Sequence, residues 1–100
     1  MARNPNISKE ILKKLSNDED SYVRGCVARN PNTSKEVLEK LSNDKHFYVR
    51  RYVAKNPNTS EDILKKLVND TDKDVCNAVL LNPSITESIR NIIKFKDLLK

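Results

Sequence analysis

The four prolines of the chain, Pro5, Pro31, Pro57 and Pro83, follow one another at intervals of 26 residues, and no proline falls outside that register. Each sits in an Asn-Pro step followed by related text: NPNISKEILKKLSND, NPNTSKEVLEKLSND, NPNTSEDILKKLVND and a diverged fourth copy. A fixed period of this length marks stacked repeats, in which a unit buries its apolar face only against its neighbours. The units are 4–29, 30–55 and 56–81, with a partial unit 82–100, all within a single repeat domain 1–100. Met1-Ala2-Arg3 aligns with Val27-Ala28-Arg29 and Val53-Ala54-Lys55, so the chain opens on the last residues of a unit.

At 100 residues a chain is near the low end for an independent core, so the units must share one. A hydrophobic share of 37%, no Trp and one Gly suit helices better than strands and turns. No apolar run approaches the roughly 20 residues of a membrane span. With no apolar leader at the start, a cytoplasmic location is expected and no membrane partner. The net charge of +5 permits weak attraction to nucleic acid or acidic proteins. Cys26 and Cys76 lie about two units apart, too far for a disulfide, and are expected as free thiols. With no Cys/His cluster, no metal site and no cofactor is expected.

Each unit reads as two short helices. In the first, Val37, Leu38 and Leu41 form an i, i+1, i+4 stripe, matched by Ile11, Leu12, Leu15 and by Ile63, Leu64, Leu67. Thr33-Ser34-Lys35-Glu36 reads as a capping box with Thr33 as cap, and Thr59 to Asp62 as a shorter-armed version. Asn6 or Ser8 takes that role in the first unit, and Ser84 with Glu87 in the last. The outer face carries Glu10/Lys14, Glu36/Lys40 and Asp62/Lys66, spaced to pair along the helix. Asn17, Asn43 and Asn69 follow the stripe and suit a left-handed helix end. A second helix begins near Asp20, His46 or Asp72 and carries the stripe Val23-Cys26-Val27, Val49-Tyr52-Val53 or Val75-Ala78-Val79. It ends at the next Asn-Pro step, because proline disfavours the helical conformation in the residue before it. In the last unit Arg90 replaces the recurring Leu and the turn text is missing, which predicts one longer helix capping the open end.

The segment LSNDEDSYVRGCVARNPN and its copy LSNDKHFYVRRYVAKNPN resemble the leucine-rich repeat variant family, a relative of the HEAT and armadillo solenoids. The resemblance covers nearly the whole chain and implies an all-α fold, a right-handed α-solenoid of short helix pairs. One type of member carries an amino-terminal iron–sulfur cluster; the cysteines that would hold it are absent here. HEAT units pair an Asp with an Arg six residues on, joining neighbours in a ladder. Asp18/Arg24 and Asp44/Arg50 match that spacing, and Cys76 breaks it opposite Asp70. The recurring Asn4, Asn30, Asn56 and Asn82 read as backbone-bonding turn residues.

Repetition argues against an enzyme, since a catalytic site needs different residues in one place and these units supply the same ones at intervals. His46, the sole histidine, reads as a surface turn residue, and no nucleophile has a base and carboxylate to activate it. The leading reading is a non-catalytic scaffold for protein–protein interaction, built from helical repeats. Its patch is Tyr48, Arg51, Tyr52 and Lys55, with Arg29 from the unit before, because Arg and Tyr anchor interfaces. Gly25 and Asn77 share the column of Arg51, so the scaffold itself does not require a charge there. The alternatives are a nucleic-acid-binding HEAT-like module using the basic column Arg3, Arg29, Lys55, and a purely structural repeat fragment that self-associates through its open ends.

Overall fold

Seven α-helices and no strand make up the computed structural model, which describes residues 6–98, with side chains through Phe95. They are α1 (Lys9–Leu15), α2 (Ser21–Arg29), α3 (Lys35–Leu41), α4 (Phe47–Lys55), α5 (Glu61–Leu67), α6 (Lys73–Leu80) and α7 (Glu87–Leu98). Helices this short are marginal in isolation, so tertiary packing must hold them. α2 packs along α4 and α4 along α6, forming a continuous row. α3 and α5 lie against the second helices on either side of them, α1 against α2, and α7 against α5. The molecule is elongated, 42 × 23 × 17 Å.

Leu12, Leu38 and Leu64 from the first helices meet Val27, Val53 and Val79 from the second, all fully buried. Buried Ala28, Ala54 and Ala78 let the second helices approach closely. In α7 Ile89 is fully buried and Ile93 packs against the core in the columns of Ile63 and Leu67, Arg90 in the column of Leu64 is exposed, and Ile92 adds a further core contact. α7 is indeed the longest helix, but it extends the first-helix side beside α5. At the end of α6, Leu80 stays exposed, as does Leu81 at 68%. Cys26 and Cys76 are free thiols, as their spacing required.

The cap of α1 is Ser8, one of the two residues expected there, while the caps of α3 and α5 lie one residue beyond the expected threonines. Ser8, Ser34 and Ser60 cap α1, α3 and α5, accepting from the backbone N–H of Ile11, Val37 and Ile63. Thr33 and Thr59 are buried, and their hydroxyls donate instead to the carbonyls of Val27 and Val53, at 2.6 Å each. Thr86, not Ser84, accepts from the Ile89 N–H at the start of α7. The second helices begin where expected, and Asp20, His46 and Asp72 cap them. No left-handed residue ends a helix: among the described residues no φ is positive, and Ser16, Ser42 and Val68 close their helices in right-handed geometry.

Side chains also tie the units together. The Asn56 amide donates to the carbonyls of Ala28 and Asn30 at 2.7 and 3.1 Å, and Asn82 to those of Ala54 and Asn56 at 2.7 and 2.8 Å. Their Oδ1 atoms accept from the N–H two residues on, closing Asx turns, as does Asn30. These three asparagines are thus the turn residues their recurrence implied; Asn4 lies outside the described residues. The outer-face charge pairs are not made as spaced. Lys40 reaches back to Ser16 and Asn17, and Lys66 to Ser42, while the helical pair that forms is Glu61 with Lys65.

Candidate functional site

The second helices present two kinds of cation. Arg24 and Arg50 are committed to the scaffold. Arg24 grips Asp44 of the next unit with two bonds, 2.7 and 3.1 Å, and donates its remaining Nη1 to the carbonyls of Asp18 and Glu19. Arg50 repeats this on Asp70, at 2.8 and 3.2 Å, and on the Asp44 carbonyl. The six-residue Asp/Arg spacing therefore places a guanidinium on a backbone carbonyl, while the carboxylate partner lies 20 residues further on. Cys76 takes the third position; its thiol donates to the carbonyls of Val68 and Asp70 but offers no charge forward.

The hydrogen bond to Asp44 raises the Arg24 pKa further above its ordinary value, so this arginine stays charged. Burial alone would raise the Asp44 carboxyl, but the Arg24 bond and the His46 backbone N–H outweigh it and hold the carboxyl below its usual range. This pair lines a depression of about 650 Å³ between the first two units, with Lys40 and Lys45 at its edges. Its innermost charges are already matched.

Arg29, Arg51 and Lys55 make no ion pair within 4.0 Å among the described residues. Arg29 closes α2 and stands with its guanidinium carbon 4.8 Å from the Tyr52 ring centre; the Lys55 ammonium lies 6.0 Å from the same ring. Tyr52 meets Tyr48 edge to face, centroids 4.8 Å apart and planes at 85°. Tyr48 in turn lies over Gly25, where an added Cβ would come 2.5 Å from its Cε2. Partial burial, then the adjacent Tyr52 phenol, push the Tyr48 hydroxyl above its ordinary pKa.

The structure thus gathers the five sequence-selected residues on one side but in different roles. Arg29, Tyr52 and Lys55 surround a hollow of about 220 Å³ with Asn56 and Pro57. Arg51 and Lys55 line a neighbouring hollow of about 160 Å³ with Asp74, Asn77, Ala78 and Leu81. Tyr48 spends its ring on Gly25 and Tyr52 and lines neither hollow. Sequence reasoning missed that division, although the sole glycine, aligned with Arg51 and Asn77, was the available signal.

His46 accepts the Tyr48 N–H at Nδ1 (3.2 Å) and stacks on Phe47, so the imidazole is a helix cap. Among the described residues no group of three or more His, Cys, Asp or Glu side chains comes together to hold a metal ion. No described helix is long and apolar enough to cross a membrane. The class these features define is an all-α chain of repeat-like helix pairs. No family model, curated protein or solved structure matches it.

Proposed function

We infer that the chain is a right-handed α-solenoid of 26-residue helix pairs, related to the leucine-rich repeat variant and HEAT proteins. In this reading it serves as a non-catalytic, cytoplasmic protein-binding scaffold. Supporting the architecture are bonds recurring at a constant offset: Asn56 to the Asn30 carbonyl and Asn82 to the Asn56 carbonyl, each 26 residues back. The observation carrying the function is the division of labour among cations. Arg24 and Arg50 are consumed by carboxylates, whereas Arg29 and Lys55 approach the Tyr52 ring without an ion pair and Arg51, also without one, lines the adjoining hollow with Lys55. Arg29 and Lys55 gain something from standing at helix C-termini. Arg51 is mid-helix and gains nothing of the kind, and as a like charge at i, i+4 it opposes Lys55.

Nucleic acid is the second reading, favoured by a guanidinium stacked on an aromatic ring beside another cation. Against it, Asp18, Glu19, Asp20 and Asp72 crowd the turns leading into the second helices and repel a phosphate backbone. Affinity capture from a lysate of source cells, with the wild-type chain beside Arg51→Ala and Tyr52→Ala, tests the scaffold reading. A protein retained by the wild type and lost by both folded variants is expected. An identical retained set in all three samples ends this reading.

A further inference from the structure

The two hollows beside Lys55 differ in chemistry, and the difference specifies a ligand. The first contains no carboxylate: Arg29 and Lys55 approach the Tyr52 ring, and Asn56 and Pro57 complete the wall. A single anionic group there would meet two cations that now have no counter-ion. In the second hollow Asp74 lines the wall together with Arg51, so a second anion is disfavoured, while the exposed Leu81, beside the nearly buried Ala78, supplies apolar wall. Its volume is about 160 Å³, and it is open to solvent. Arg51 at its edge can donate to a backbone carbonyl.

Lys55 and Leu81 occupy the same column in successive units. Packed helices stand about 8–10 Å apart, and one turn of a polyproline-type extended chain, three residues, rises about 9 Å. Residues i and i+3 of such a chain therefore share a face and fall one unit apart. We propose that this face binds an extended acidic peptide, placing a carboxylate side chain between Arg29 and Lys55 and, three residues away, an aliphatic side chain on Ala78 and Leu81.

The proposal rests on the scaffold reading and narrows it. A peptide recognised this way needs one acid and one aliphatic residue at fixed spacing, whereas a nucleic acid presents anions at every step and would meet Asp74. The charge pattern of the two hollows favours the peptide.

The test is a titration of the full chain, followed by amide chemical shifts, with a blocked eight-residue peptide of serines carrying one glutamate and, three residues on, one leucine. Shifts are expected at Arg29, Arg51, Tyr52, Lys55 and Leu81, with affinity falling about tenfold, or ~1.4 kcal/mol, for Lys55→Ala and for a peptide with serine in place of leucine. Lys35→Ala, outside the face, should leave affinity unchanged, and circular dichroism confirms that the variants fold. Equal affinity for a peptide with lysine in place of glutamate, or no shift at millimolar peptide, overturns the proposal. So does tighter binding of a single-stranded oligonucleotide at these residues, which would assign the face to nucleic acid. A dimer abolished by Leu81→Glu and untouched by the peptide would assign the apolar hollow to a second copy instead. If the peptide fails while the lysate capture still depends on Tyr52, the acidic specification falls and the scaffold reading stands; if both fail, both fall.

Discussion

Asp44 joins two units through one carboxylate, and its side chain is only 8% exposed against 9% for Arg24. Breaking a buried pair by removing one partner costs about 3–5 kcal/mol. Asp44→Ala should fall near 3 kcal/mol, because Arg24 keeps its carbonyl partners at Asp18 and Glu19. The folded chain holds the Asp44 carboxyl below the unfolded value of roughly 3.9, so folding is favoured by its ionised form. That contribution is complete above the unfolded value and is lost as pH falls through it toward the lowered folded one. Urea unfolding across the acid range should therefore show the wild type losing stability more steeply than Asp44→Asn, and parallel profiles would remove Asp44 from this account. Gly25 sets a different balance. Gly25→Ala gains about 1 kcal/mol of helix propensity but displaces Tyr48 from its place beside Tyr52, a ring contact worth about 0.5–1.5 kcal/mol. Its midpoint should barely move while the tyrosine signal in near-ultraviolet dichroism drops; an unchanged signal would mean the ring does not rest there.

The helices themselves were legible because their determinants are local: Asn-Pro steps end the second helices, and Leu38 with its equivalents marks one buried face. What was not legible depends on partners distant in sequence. Thr33 and Ser34 are both competent caps, and only the buried Val27 carbonyl, six residues back, decides that Thr33 turns inward and leaves the cap to Ser34. Lys40 has Glu36 within reach on its own helix, yet Ser16 and Asn17, more than twenty residues earlier, take it. The candidate site followed the same rule. Its residue types and columns could be read off, but Tyr48 resting on a glycine 23 residues earlier could not, since that needs the inter-helix register. The asparagine bonds that fix this register should dominate the energetics between elements. Asn56→Ala takes the donor from the buried Ala28 carbonyl, at roughly 1–3 kcal/mol, and also removes the bond to the Asn30 carbonyl, which keeps the Thr33 N–H, and the Asx turn to Asn58, so it should cost about 3 kcal/mol in denaturant unfolding. Asn58→Ala, which removes one exposed bond to Pro31, should cost under about 1 kcal/mol, and similar losses for the two would refute the distinction.

Across the whole molecule protection cannot be uniform. α4 is flanked by α2 and α6 and contacts α3 and α5, whereas α7 packs chiefly on α5 and α1 on α2. In a linear stack each unit is stabilised by the neighbours it has. Amide hydrogen exchange should therefore be slowest in α4 and fastest in α1 and α7, and equal protection throughout would indicate one indivisible cooperative block. The side-chain bonds that Arg24, Arg50, Asn56 and Asn82 make to another unit reach across a single boundary, and none of these skips over a unit. An extra 26-residue copy spliced between two units would find the matching acceptors already waiting on one side and the matching donors on the other. Gene duplication could thus lengthen such a protein without inventing a single new joint, and trimming it by whole copies would leave an equally well-fitted seam.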